Sequence, residues 1–172
     1  MATNNSAGWS DCMKLEYDTL MGYYTWTLIK RPPNINIVGS QWTFRVKRDN
    51  LGLLNKLKSK LIAQGFSQIP GLDFNEIYSP TIMFTSIQLI LALTCHYNLE
   101  LQQIDVEGPC LNGILNNEVY MLQPEGFIKK VKEHLVCKVN KGTYGPRQSG
   151  SVWHHMFKHN LEKICFIPGN AA

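Results

Sequence analysis

The chain has 172 residues, 44% of them apolar, with a net charge of +4 and an isoelectric point near 8.8. That length and apolar content suit one ordinary domain with a packed core, and they exclude a chain disordered throughout. The basic excess is mild: it is compatible with a polyanionic partner without demanding one.

Residues 1–11 are polar and lack the apolar run of a secretory leader. No stretch approaches the length of a membrane span; the longest apolar segment, 87–93, is interrupted by Gln88. The five cysteines (Cys12, Cys95, Cys110, Cys137 and Cys165) are odd in number and show no C-x-x-C spacing. Free thiols in a reducing compartment are the expectation, and with them an intracellular protein, cytoplasmic or nuclear, without membrane attachment.

In chain order, residues 1–15 read as a frayed terminus, with a short helix over 15–24 carried by Leu15, Leu20 and Met21. Arg31-Pro32-Pro33-Asn34 is extended or turned, because the two prolines remove backbone donors and disfavour helix before them. A hairpin follows. Residues 35–47 alternate apolar and polar through Trp42, Phe44 and Val46, Arg48-Asp49-Asn50-Leu51-Gly52 has turn chemistry, and 53–66 returns. Two-residue periodicity puts Lys56, Lys58 and Lys60 on one face, with Arg45 and Lys47 adding to a basic ribbon.

Residues 69–73 form another turn. Residues 85–97 read as a helix that Thr85 or Ser86 can cap and Asn98 can end. It is apolar nearly all round, the pattern of a core helix. Residues 99–106 read as a strand stopped by Gly108-Pro109, 118–122 and 135–139 as two more, and 151–164 as an amphipathic helix. The order is hairpin, helix, strand, two strands, helix: an α/β (α+β) arrangement with a hairpin appendage.

Several runs resemble one family in one order. Glu16-Tyr17-Asp18-Thr19-Leu20-Met21 with Thr25-Trp26, and Trp42-Thr43-Phe44-Arg45-Val46-Lys47, are similar to the opening of copia-type retrotransposon reverse transcriptases. Lys58-Ser59-Lys60-Leu61-Ile62-Ala63-Gln64-Gly65-Phe66 is similar to that family's K-A-R-L-V-A-(Q/K)-G-F, and Tyr78-Ser79-Pro80 to its Y/F-(S/A)-P. Gln103-Ile104-Asp105-Val106 with Leu111-Asn112-Gly113 resembles Q-x-D-V-x-x-A-F-L-N-G. Tyr120-Met121 with Gln123-Pro124-Glu125-Gly126-Phe127, and Tyr144-Gly145 with Gln148, resemble Y-M-x-Q-P-E-G-F and Y-G-L-K-Q. No single motif is specific; the collinear series is.

The resemblance implies a partial right-hand polymerase over 16–165, a fingers hairpin leading into part of a palm, with 166–172 as a tail. The implied chemistry is RNA-directed DNA synthesis on a nucleic-acid template-primer, with two Mg²⁺ ions stabilising the attacking and leaving oxygens. The family supplies three aspartates, one at a palm strand end and two in a later Y-x-D-D hairpin. Asp105 stands at the first, as catalytic residue and metal ligand; its bland alternative is a strand-end Asp accepting a turn hydrogen bond. No Y-x-D-D occurs in the chain, and Glu107 is the nearest other carboxylate.

Lys58 and Lys60 fall where the incoming triphosphate is held, Lys60 replacing an arginine and so losing its planar fork. Val106, Cys110 and Gln148 fall at nucleotide-contacting positions. Cys110 replaces the aromatic that excludes a 2′-hydroxyl, and a thiol is too small to close that space. Arg45, Lys47 and Lys56 would contact nucleic acid; the bland reading is a solvated basic face. The expected function is a retrotransposon polymerase fragment, inactive by itself; the alternatives are a retained nucleic-acid-binding or interaction module, or a transposon remnant with no role. Zinc is disfavoured: His154, His155, His159 and Cys165 lack a paired ligand motif. The aromatics Trp42, Phe44, Phe66 and Tyr78 among basic positions suit packing better than strand binding.

Overall fold

The computed structural model describes residues 6–166. Its elements are α1 (Ser6–Gly22), β1 (Trp26–Lys30), β2 (Ile37–Val38), β3 (Ser40–Arg48), β4 (Leu54–Ala63), α2 (Phe84–Tyr97), α3 (Pro109–Asn112), β5 (Ile114–Met121), β6 (Leu135–Lys141) and α4 (Ser149–Lys163). They build a mixed α/β fold with two sheets. One has the order β1-β6-β5-β2, antiparallel except for the parallel β5/β2 pair; the other is the β3-β4 hairpin. Gly39 alone separates β2 from β3, so the chain steps from one sheet to the other at that residue.

The core lies where α1 and the hairpin meet the larger sheet. Leu20 of α1, Trp26 of β1, Val38 of β2, Leu61 and Ala63 of β4, Val119 and Met121 of β5, and Cys137 and Val139 of β6 form one buried cluster. Every second residue of β4 from Ser59 points into it, as the period of a half-buried strand requires. Burial pushes the Cys137 thiol up to about 12, so it serves as a small apolar side chain. Cys12 ties α1 to β4: its Sγ accepts from the Ser59 N–H at 3.0 Å.

The elements differ from the sequence expectations in five places. The helix expected over 15–24 begins at Ser6, so residues 6–15 are not frayed; 1–5 lie outside the described residues, as does the expected tail beyond Phe166. The hairpin expected from Ile35 is divided, because Ile37 and Val38 pair with Tyr120 and Met121 of the other sheet. β1 and the short α3 were not anticipated: β1 is only five residues long, and α3 follows directly where Gly108-Pro109 was expected simply to stop a strand. Residues 99–106 form no strand. A strand exists only where a neighbour takes its backbone groups, and no described strand runs beside them.

The fifth difference concerns α2. Its bounds are close to those expected, and Asn98 ends it in the left-handed conformation, but its N-cap is Met83 without a side-chain hydrogen bond. It is not a core helix here. From 75 to 105 every residue except the half-buried Thr94 is exposed. Ile87, Leu89, Ile90, Leu91 and Leu93 therefore present apolar surface that no other described element covers.

One carboxylate is poorly placed in this packing. Glu16 lies between α1 and β4, and its Oε1 is buried without a hydrogen-bond partner. Burial raises its pKa above the ordinary 4.5, and the Leu61 backbone and the charges of Lys60 and Lys58 offset this only in part. The folded state thus holds this proton more tightly than the unfolded chain. Its favourable contribution is complete below the unfolded pKa and lost as pH rises through the folded value. Glu16→Gln is expected to raise the thermal midpoint at pH 7, with the gain shrinking to nothing near pH 4; melts across that range check it.

Candidate nucleic-acid interface

The β3-β4 hairpin has two unlike faces. Trp42, Phe44 and Val46 lie opposite Leu61, Ser59 and Leu57, and this side meets α1, where Trp9 packs edge-on against Phe44 at 5.1 Å. On the other side Arg45 is directly opposite Lys58, Lys47 opposite Lys56, and Thr43 opposite Lys60. All five sequence-predicted basic residues of the hairpin thus share one face. Thr43, Arg45, Lys47, Lys58 and Lys60 line a groove of about 450 Å³ there.

Like charges directly opposed across a ladder destabilise it. At about 6 Å in water each such pair costs about 0.7 kcal/mol. No ion pair among the described residues relieves these charges; the three present are Lys138–Glu118, His155–Glu76 and Lys158–Glu162. A string of phosphates laid along this face would turn each repulsion into an attraction.

Lys60 is held more firmly than the others. Its Nζ lies 3.7 Å from the centre of the Tyr144 ring, a cation–π contact. Cys110 is close enough to feel the Lys60 charge, which lowers its pKa, although burial is the larger influence and raises it. The fold therefore brings Lys60, Cys110 and Tyr144 together from β4, α3 and the 142–148 turn.

Gln148 is only 4% exposed, and both ends of its amide are engaged within the protein. Its Oε1 accepts from Gln68 Nε2 at 3.1 Å, and its Nε2 donates to the Asp73 carbonyl at 3.0 Å. The Asp73 carboxylate, also buried, accepts from Asn36 Nδ2 at 2.6 Å and from the Ile69 N–H at 2.7 Å. Gln68 Oε1 accepts the Arg147 N–H at 2.8 Å. This network fixes the turn before α4 against the loop after β4. Asn36, Gln68 and Asp73 carry little local signal in the sequence, since apart from the Ile69–Asp73 turn bond the partners that join them lie 31 to 80 positions away.

Beside it the two backbones touch. The Ala63 N–H donates to the Tyr144 carbonyl at 2.8 Å. A Cβ on Gly65 would overlap the Gly145 carbonyl oxygen, and one on Gly145 would overlap that of Ala63. Gly145 also has φ +112, a conformation that side chains oppose.

Asp105 lies elsewhere. It is exposed on the irregular segment before α3, with Glu107 exposed and Val106 half-buried beside it. No group of three His, Cys, Asp or Glu side chains able to hold a metal ion exists among the described residues. A two-Mg²⁺ centre needs several converging carboxylates, so the donor set described does not fit one.

Residues 23–172 match the reverse transcriptase (RNA-dependent DNA polymerase) family, and the chain belongs to it. Within that family it is of the copia type. It is 38% identical over 160 residues to the retrovirus-related Pol polyprotein from transposon RE1 of Arabidopsis thaliana, covering 92% of this chain and 11% of that polyprotein. It is 39% identical over 155 residues to the corresponding polyprotein from transposon TNT 1-94 of Nicotiana tabacum, covering 90% and 12%. The uncharacterized mitochondrial protein AtMg00820 of Arabidopsis thaliana is 42% identical over 123 residues, covering 72% of this chain and 65% of its own length. The chain thus spans about a tenth of the transposon polyproteins it matches. No solved structure matches it.

Replacing Gly145 by alanine is expected to cost at least about 2 kcal/mol, from the clash with Ala63 and the positive φ together. Urea unfolding of Gly145→Ala, beside an alanine substitution at the open Gly22, measures it.

Proposed function

We propose that the β3-β4 hairpin is the nucleic-acid face of a fingers module, and that this chain by itself does not catalyse nucleotide transfer. The observation that carries the reading is the opposition of Arg45 to Lys58 and of Lys47 to Lys56 without an acidic partner in an ion pair. The opposed like charges cost the fold stability, and a polyanion laid along them would gain from the arrangement. Arg45, Lys47 and Lys56 take the template-primer backbone. Lys58 and Lys60 take the phosphates of an incoming nucleotide, with Tyr144 holding the Lys60 ammonium in place. Cys110 borders that position and leaves room for a 2′-hydroxyl. Gln148 is a positioning residue, which keeps the turn carrying Tyr144 in register with β4.

In the same reading α2 and the 99–106 segment belong to a partial palm of a right-hand polymerase, and the exposed α2 face is what further palm structure covers. Asp105 is its one metal-binding carboxylate. The lack of catalysis is this reading's expectation for a chain in which only one of the family's three aspartates has a counterpart, Asp105.

Two measurements test this. In fluorescence anisotropy with a labelled template-primer, log affinity should fall linearly with log salt, and Arg45→Ala and Lys58→Ala should each flatten the slope by about 1. Absence of binding at low salt would end the proposal. In primer extension with purified chain and Mg²⁺, no incorporation is expected; templated incorporation that disappears in Asp105→Ala would overturn the claim of inactivity.

A further inference from the structure

A second cavity, of about 360 Å³, shares no residue with the hairpin groove. It lies between α1, β1 and the loop that joins β5 to β6. Its lining includes Tyr17, Tyr24, Trp26, Phe127, Lys129 and Lys132. We propose that this cavity binds one nucleotide unit, a flat base against the exposed Tyr24 ring with its phosphate on the two lysines.

Three independent features lead there. The first is Tyr24. It has φ +55, a left-handed conformation that glycine or asparagine adopts with less strain, and the residue is 76% exposed. The backbone holds it there: its N–H donates to the Met21 carbonyl at 3.0 Å, and its own carbonyl accepts from Asn140 Nδ2 at 3.4 Å. The left-handed turn closes α1, but the ring itself is largely uncovered beside the cavity that Tyr24 helps line. It offers a stacking surface.

The second feature is the construction of the lining. Tyr17 and Phe127 stack at 4.4 Å with 14° between their planes, and Trp42, whose Nε1 donates to the Glu125 carbonyl at 3.0 Å, packs behind Phe127. These rings are braced before any ligand arrives, which lowers the ordering cost of binding.

The third feature is the loop. Gln123 spends its whole side chain on it: Nε2 donates to the carbonyls of Lys132 at 2.7 Å and Leu135 at 3.0 Å, and Oε1 accepts the Lys129 N–H at 3.1 Å. The Glu133 carboxylate is turned to the Val131 N–H at 2.9 Å. The backbone at Lys129 and Lys132 is thus held beside the cavity, and no ion pair among the described residues involves either lysine. An open tyrosine ring and two unpaired lysines at one cavity are complementary to a base and its phosphate, and the volume falls at the small end of ligand pockets.

The site stands apart from the hairpin proposal, and one experiment separates them. The indole N–H signal of Trp26 is followed by NMR while thymidine 5′-monophosphate, or a short oligothymidylate, is added to the intact chain. A saturable Trp26 shift is expected with the oligomer. If the monophosphate produces it equally well the pocket serves free nucleotides, and if only the oligomer does it serves a strand. Tyr24→Asn, which keeps the turn and removes the ring, should weaken the affinity about tenfold. Lys129→Ala with Lys132→Ala should reduce its salt dependence, whereas Arg45→Ala with Lys58→Ala should leave the Trp26 shift in place. No Trp26 shift with either ligand, or a shift indifferent to both the Tyr24 and the lysine changes, would overturn the proposal.

Discussion

The place where the end of β4 meets the Tyr144–Gly145 turn governs the rest of the molecule. There the Ala63 N–H reaches the Tyr144 carbonyl, and Gly65 and Gly145 approach too closely for any side chain. A two-stranded hairpin is marginal alone and needs a surface to lie on. This contact, with α1 across the hairpin's apolar side, supplies one. It also sets the height of Lys60 over Tyr144 and brings Cys110 under its charge. The buried amides of Gln68 and Gln148, with both ends of each paired, and Oδ2 of Asp73, which accepts two hydrogen bonds, complete the junction. Such a network specifies one arrangement, because breaking any link leaves a buried polar group unmatched.

The molecule is unevenly consolidated around that junction. Sheet, hairpin, α1 and the 142–148 turn share one core, whereas residues 75–105 contribute no buried side chain. The sequence of α2, with no charged residue in fourteen, is that of a helix enclosed on all sides. Its exposure has a plain physical cause: an apolar helix is enclosed only where a sheet or another helix packs on it, and among the described residues none does.

Membership of the reverse transcriptase family gives these features a common sense. The charges of the basic face repel one another, and the hydrophobic contacts of the opposite face must hold the strands together against that repulsion. The aromatic cavity adds a second surface of different character, where stacking rather than charge density would dominate. Neither requires the metal chemistry that the described donor set does not support.

The sequence alone determined what depends on near neighbours and on ordered motifs. Alternation located the hairpin and put Lys56, Lys58 and Lys60 on one face; apolar periodicity located α2 and α4; the collinear motifs identified the family. The ends of β5 and β6 were legible for the same reason, since short runs rich in branched side chains keep their period. What spans long separations was not legible. That Arg45 opposes Lys58, that Lys60 rests on Tyr144, and that Gln148 turns inward to Asp73 depend on register and on a backbone contact that no local pattern encodes. Residues 99–106 show the converse: a strand pattern is present and the strand is not, because a strand is completed by its neighbour. Only the tertiary structure decides whether that neighbour is there.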